Sequence, residues 1–341
     1  MTELESSKTY LVTGTAGFIG FYLAKHLLEQ GCNVIGIDNV NDYYDTGLKY
    51  ARLEKLKPFE QFTFVKGDIA DKITVMELFS QYKPHMVINL AAQAGVRYSI
   101  DHPDAYIQSN IIGFYNILEA CRHNPVEQLV YASSSSIYGA NKKVPFAESD
   151  FVDHPVSLYA ATKKSNELMA YTYSHLYKIP TTGLRFFTVY GPMGRPDMAY
   201  FAFTDKYFNN EPIKIFNNGD FAHDLYRDFT YIDDIIVGIM RLLVKPVELS
   251  DGVLSRVYNI GNNSPEKLMT FIETLEKCLS LSLGREVVFE KIFEPLKPGD
   301  VPATYASTDL LRAAIGFKPK TSIKDGLQKF TDWYVREYKH M

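Results

Sequence analysis

Thr9-Tyr10-Leu11-Val12-Thr13-Gly14-Thr15-Ala16-Gly17-Phe18-Ile19-Gly20 is the stretch on which the fold turns. TYLVT (9–13) is a short run of β-branched and aromatic residues and predicts a strand. Glycines at 14, 17 and 20 then form a turn without Cβ atoms, and helical periodicity continues to about Gln30. A strand, a glycine turn and a helix in that order let backbone N–H groups and the positive helix end approach a pyrophosphate. Gly14, Gly17, Phe18, Ile19 and Gly20 are therefore candidate dinucleotide contacts. Asp38 follows the next strand, NVIGI (33–37), 18 residues after Gly20. A carboxylate there accepts hydrogen bonds from an adenosine ribose and repels a 2′-phosphate, which favours NAD over NADP; the competing reading is an Asp that caps the turn. Asn39, next to it, joins the cofactor set.

Outward from this stretch, FTFVKGD (62–68), HMVINLAA (85–92) and QLVYASS (128–134) read as further strands, and LRFFTVYG (184–191) ends the series. Segments 71–83, 104–123 and 157–178 have helical length and period between them. Alternation of this kind predicts an α/β fold with a doubly wound parallel sheet, and the nearly continuous apolar strands agree, since such a sheet is buried on both faces. The pattern breaks at Gly191-Pro192-Met193-Gly194-Arg195-Pro196. Helices around 199–209, 232–244 and 264–279 and a strand near 213–216 predict a smaller mixed α/β substrate-binding domain. The expected division is 1–190 and 191–341, with some interleaving. Ligands of open α/β sheets bind at the carboxyl ends of the strands. Asp68 and Ile69 stand at one such end, where Asp68 either meets the adenine or caps a loop. Leu90, Ala91 and Ala92 stand at another, where small residues let a cofactor lie on the backbone or serve helix packing.

Ser133-Ser134-Ser135-Ser136-Ile137-Tyr138-Gly139 places hydroxyls at a third strand end. Ser157-Leu158-Tyr159-Ala160-Ala161-Thr162-Lys163 then reads as a helix start with Ser157 as its cap. Tyr159 and Lys163, four residues apart, share a helical face. A free phenol has a pKa of about 10, and a neighbouring ammonium favours its ionised form, so the pair is a candidate base. With 24 tyrosines in the chain, an ordinary surface pairing is the competing reading.

The 341 residues are 46% hydrophobic and 22% charged, with a net charge of -4, which argues against a general nucleic-acid binder. MTELESSKTY has neither an apolar core nor a basic lead, so no signal peptide is expected, and no apolar run has the length of a membrane span. Three scattered cysteines, Cys32, Cys121 and Cys278, predict reduced thiols in a cytoplasmic protein. The histidines show no ligand spacing, and no metal site is expected.

Taken in order, the glycine turn, the hydroxyl cluster and the Tyr-x-x-x-Lys helix resemble the extended short-chain dehydrogenase/reductase superfamily over nearly the whole chain. DNVNDYYD (38–45), SSSSIYG, VDHPVSLYAATKKSNELMAYTYSHLY, TTGLRFFTVYGPMGRPDMA and RDFTYIDD are similar to segments of the UDP-glucuronate 4-epimerases. The resemblance implies a Rossmann-type NAD-binding domain and C4 epimerisation of a UDP-sugar, UDP-glucuronate to UDP-galacturonate, through a 4-keto intermediate. The alternatives are a UDP-glucose or UDP-N-acetylglucosamine 4-epimerase, a UDP-glucuronate decarboxylase, or a non-catalytic NAD-binding regulator on the same fold. By resemblance, Tyr159 is the proton-transferring base and Lys163 its electrostatic partner, bonding the nicotinamide ribose. Ser134 completes the catalytic set, and Ser136 faces the substrate. Thr188 and Arg195 face the sugar carboxylate; Arg227, Lys297 and Asp300 hold the uridine diphosphate; Met198 to Phe203 line the uracil pocket. The family also implies a homodimer through helices near 104–122 and 157–178 and a place in polysaccharide biosynthesis. Three departures stand out: Asn89 where relatives usually have His, Lys297 where they usually have Gln, and a stretch from Phe221 to Tyr226 that is longer than in close relatives.

Overall fold

Strand β1 (Thr9–Thr13) lies inside a seven-stranded sheet, bonded to β2 (Asn33–Asp38) on one side and β4 (Met86–Asn89) on the other. The computed structural model describes residues 4–217, 219–220, 225–250, 252–295 and 303–340. Helix α1 (Phe18–Glu29) connects β1 to β2, and α2 (Thr46–Leu56) leads to β3 (Phe62–Lys66). Helix α3 (Lys72–Tyr82) precedes β4. Short helices α4 (Tyr98–Asp101) and α5 (Pro103–Tyr106) run through Ile107–Gly113 into α6 (Phe114–His123), which leads to β5 (Gln128–Ser134). Helix α7 (Leu158–Tyr177) precedes β6 (Thr181–Phe186).

The strand order is β10-β6-β5-β4-β1-β2-β3, parallel throughout. Order reverses between β1 and β4, the switch point at which such sheets bind ligands. Successive β1 residues serve opposite faces. Tyr10 and Val12 join α1 in one core, while Leu11 packs with Val75 and Phe79 of α3 and Phe114 and Ile117 of α6 in the other. Burial on both faces is why the strands read as apolar runs.

The structure departs from the sequence expectation at the far edge. Residues 184–191 do not end the sheet; they divide at Phe187. β6 stops at Phe186, and β7 (Thr188–Tyr190) leaves to pair β9 (Tyr226–Tyr231). The seventh strand is β10 (Ser255–Ile260), parallel to β6. Its sequence, SRVYNI, carries polar Ser255, Arg256 and Asn259, and its first four residues are only partly buried, as in an edge strand, so it lacks the apolar signal of the inner strands.

The remaining elements are α8 (Ala199–Phe208), β8 (Ile213–Ile215), α9 (Ile232–Leu243), β11 (Pro265–Lys267), α10 (Leu268–Leu283), β12 (Lys291–Phe293), β13 (Ala303–Thr304), α11 (Asp309–Ile315) and α12 (Ile323–Arg336). Helix α10 starts later than expected because 265–267 pair with β9 first. β9 gathers β7, β11 and β13 into a four-stranded sheet, and β8 pairs β12. A buried ion pair fastens α7 to the main sheet. Arg185 of β6 meets Glu167 of α7 through Nε–Oε1 and Nη2–Oε2 bonds of 2.9 Å, and Ser133 of β5 donates to the same carboxylate at 2.7 Å.

Candidate active site

The strand ends open on a cavity of about 470 Å³. Its walls include Gly14, Gly17, Phe18, Ile19, Gly20, Asp38, Asn39, Asp68, Ile69, Leu90, Ala91 and Ala92, together with Ser134, Ser136, Tyr159, Lys163, Thr188, Arg195 and Met198. One expected contact stands apart: Arg227, on β9, is not among the cavity residues, and its Nη1 donates to the Tyr226 carbonyl at 2.8 Å. Lys297, Asp300 and residues 221–224 of the longer loop lie outside the described residues.

The glycine turn has a steric cause. Gly14 sits at φ +72°, and a Cβ there would come within 2.8 Å of the Ala91 backbone nitrogen. A Cβ on Gly20 would run into the Gly14 carbonyl. Thr13 stitches the two strand ends: its hydroxyl donates to Asn89 Oδ1 at 2.8 Å and accepts from the Ala91 N–H at 3.0 Å. Asn89 is thus a scaffold residue behind the turn, not a cavity contact. Helix α1 has no side-chain cap and no acidic residue in its first turn, so its leading N–H groups have no intrahelical partner and its positive end is uncompensated. Asp38 accepts from the N–H groups of Ala16 at 3.0 Å and Val40 at 2.8 Å. Burial pushes its carboxyl up, against those two bonds. Asp38 fastens the turn, as its capping reading expects, and it also lines the cavity. Asp68 likewise does both, accepting from Ala70 N–H and from Asn39 Nδ2 at 2.8 Å each. Open helix N–H groups, close glycine contacts and a carboxylate at the end of β2 fit a dinucleotide.

Arg52 of α2 is fully buried behind this turn. It donates to the carbonyls of Ala16 at 2.7 Å, Met193 at 2.7 and 3.1 Å and Gly194 at 3.0 Å, and to the Tyr44 hydroxyl at 2.6 Å. The glycine turn and the loop after β7 are therefore held by one guanidinium.

On α7, Ser157 caps the helix by accepting from the Ala160 N–H at 3.1 Å. The Lys163 ammonium donates to the Ala132 carbonyl at 3.0 Å, and burial pushes its pKa down to about 8. Burial raises the Tyr159 phenol above its ordinary value, opposed by the Ser134 hydroxyl and the Arg195 charge. Besides burial, Ser134 and Arg195 act to lower the phenol and Asp197 to raise it. Ser134 Oγ also bonds the Ser136 hydroxyl and accepts from the Ser136 N–H, both at 3.1 Å.

A lysine titrating near 8 when folded and about 10.4 when unfolded opposes folding below pH 8, and that penalty fades between the two values. Lys163→Met is therefore expected to raise stability at pH 7 by on the order of 1–3 kcal/mol, with a smaller gain at pH 10. Urea denaturation at both pH values checks this; an equal change at each would remove the titration argument.

Three cavity residues escaped the sequence reading or gained partners it did not contain. Lys49 donates to Asn41 O at 2.7 Å and Oδ1 at 2.6 Å. The Tyr43 hydroxyl donates to Asp197 Oδ2 at 3.1 Å, and Asp197 accepts a two-pronged bond from Arg195 at 2.9 and 2.5 Å. Arg-x-Asp spacing in the Gly/Pro turn was visible, but its tie to Tyr43 was not. Among the described residues, no group of three or more His, Cys, Asp or Glu is arranged to hold a metal ion, and no helix is long and apolar enough to cross a membrane.

Comparison with known proteins gives a consistent picture. Residues 11–330 match the family model described as GDP-mannose 4,6 dehydratase. The chain is 54% identical to Protein CapI of Staphylococcus aureus, across 96% of this chain and 99% of that protein. It is 47% identical to the probable UDP-glucuronate 4-epimerase of Rhizobium meliloti (strain 1021), across 97% and 98%. Among solved structures it is similar to the UDP-glucuronic acid 4-epimerase of Bacillus cereus in complex with UDP-glucuronic acid and NAD, with a TM-score of 0.85 at 32% identity, covering 96% of this chain and 99% of the other.

Proposed function

The chain belongs to the GDP-mannose 4,6 dehydratase family, and from that premise we propose that it is an NAD-dependent UDP-sugar 4-epimerase acting on UDP-glucuronate to give UDP-galacturonate. One observation carries the reading: a single cavity joins the glycine turn, Asp38, the Ser134–Ser136 hydroxyls, Tyr159 with Lys163, Thr188 and Arg195. The first group suits a dinucleotide and the second a hydroxylated, acidic sugar.

NAD, held by the glycine turn, α1 and Asp38, supplies the chemistry of accepting and returning the hydride of the sugar C4. Tyr159 takes the proton of the 4-hydroxyl as that C–H bond is broken, and a 4-ketone results. The sugar turns, the ketone presents its other face, and Tyr159 gives the proton back to O4. Ser134 donates to the phenolate, and Lys163 would hold the nicotinamide ribose of the bound cofactor. Net oxidation is zero, so the cofactor stays. General base and acid catalysis of this kind contributes roughly 10²–10⁴-fold.

The ketone is β to the sugar carboxylate, so CO₂ loss becomes accessible when the C5–carboxylate bond aligns with the ketone π system. Arg195, Thr188 and Ser136 hold the carboxylate out of that alignment by charge-assisted bonds. Residues 1–190 carry the cofactor and 191–341 the sugar nucleotide, with Arg227, Lys297 and Asp300 on the uridine diphosphate. The exposed Ile107, Tyr115, Leu168, Tyr171 and Leu176 support a homodimer through the helices of 104–122 and 157–178. Buried, unpaired Cys32, Cys121 and Cys278 support a cytoplasmic protein, whose product serves polysaccharide biosynthesis.

Incubation with UDP-glucuronate, and separately with UDP-glucose, without added NAD, tests the reading. NMR of the sugars is expected to show inversion at C4 of the acid without CO₂ release. Inversion of UDP-glucose alone would transfer the assignment to the neutral sugar, and CO₂ as the main product would make the protein a decarboxylase.

A further inference from the structure

Arg195 does not stand free in the cavity. Its Nε and Nη2 grip the two carboxylate oxygens of Asp197 at 2.9 and 2.5 Å. Tyr43 donates its hydroxyl to the same carboxylate at 3.1 Å, and the guanidinium lies 6.0 Å above the Tyr43 ring. Tyr43 is itself fixed edge-on against Tyr98, at 4.7 Å between ring centres. Arg195 lines the cavity, and its side chain and that of Asp197 remain 24% and 33% exposed. A guanidinium has two edges that match a carboxylate. Asp197 occupies the Nε/Nη2 edge. Among the described residues Nη1 bonds no other group, which leaves the Nη1/Nη2 edge for an incoming carboxylate.

We propose that Asp197, held by Tyr43, is a positioning residue that selects how the acidic sugar is bound. It fixes the direction of Arg195 and cancels its charge, so the sugar carboxylate meets one directed edge and not a mobile cation. This rests on UDP-glucuronate being the substrate. Two consequences separate it from ordinary structural support. A net-neutral pair attracts an anion weakly, so removing Asp197 leaves a full positive charge and tightens binding of the acid. It also lets the guanidinium follow the carboxylate into alignment with the 4-ketone. The C5–carboxyl bond then breaks, CO₂ leaves, the electron pair passes into the enolate of the ketone, and a solvent proton adds at C5. The hydride removed from C4 would in that case not be returned to the sugar and would stay with the NAD that the glycine turn and Asp38 would hold.

Two measurements test this. In a Tyr159→Phe background, where turnover is blocked, calorimetry follows UDP-glucuronate and UDP-glucose. Asp197→Ala is expected to tighten the acid about tenfold, as fits a charged hydrogen-bonding partner removed, and to leave UDP-glucose within about twofold. In the active protein, carboxyl-labelled UDP-glucuronate reports CO₂ released per C4 inversion, which is expected to rise about tenfold or more in Asp197→Ala and to fall back towards the wild-type ratio in Asp197→Glu. Arg195→Ala is expected to weaken the acid, the opposite sign. Equal weakening of both sugars, or an unchanged CO₂ ratio with the acid still epimerised, overturns the role of Asp197 alone. A wild-type protein that binds only the neutral sugar overturns both this role and the substrate assignment.

Discussion

Tyr159→Phe is expected to lose C4 epimerisation by roughly 10²–10⁴-fold and to retain its fold and bound NAD. The substitution removes one oxygen and little else. The ring keeps its edge-on contact with Tyr106, at 5.9 Å between centres, and the helix keeps its Ser157 cap. The phenol's own partner is Ser134, at the end of β5, while the bonds of Arg185 and Ser133 to Glu167 and of Lys163 to Ala132, which hold α7 to the sheet, do not involve it. A rate loss with normal cofactor content therefore isolates proton transfer. Rates by NMR and cofactor released on denaturation are the readouts, and turnover within tenfold of wild type would remove Tyr159 as the base.

Glu167→Ala is expected to destabilise the protein by about 3–5 kcal/mol. Arg185 and Glu167 are each only 5% exposed, and the pair is bidentate. Without Glu167, the guanidinium keeps the Tyr138 hydroxyl at 2.9 Å but has lost its counter-charge in the interior. An uncompensated buried charge costs far more than the pair contributes. The double replacement Arg185→Met with Glu167→Leu is accordingly expected to recover most of the loss. Denaturant titration of the three variants checks both statements, and a single-variant change below about 1 kcal/mol would mean that water reaches the stranded arginine.

What was legible in the sequence follows from how local each cause is. The glycine turn could be read because its requirement is local and steric: a positive φ at Gly14 and no room for Cβ atoms at 14 and 20. The inner strands could be read because burial on both faces keeps most of their residues apolar. β10 could not, because an edge strand tolerates polar residues such as Ser255, Arg256 and Asn259, and its partner β6 lies far upstream. The Tyr159–Lys163 spacing was legible, but not the surroundings that decide their charges. Burial acts on both side chains, and the opposing influences on Tyr159 come from Ser134 and Arg195, on other segments. The Tyr43–Asp197 bond joins residues 154 positions apart, through two turns whose periodicity says nothing.

Arg52 has a consequence for how this chain can change. Its bonds to Ala16, Met193 and Gly194 all end on main-chain oxygens, which every amino acid carries. The loop that brings Arg195 to the cavity is thus moored without regard to its side chains. Residues 195–198 can be exchanged, singly or as a grafted segment, and the mooring persists. Divergence towards other sugars, in nature or in the laboratory, has a fixed platform on which to vary.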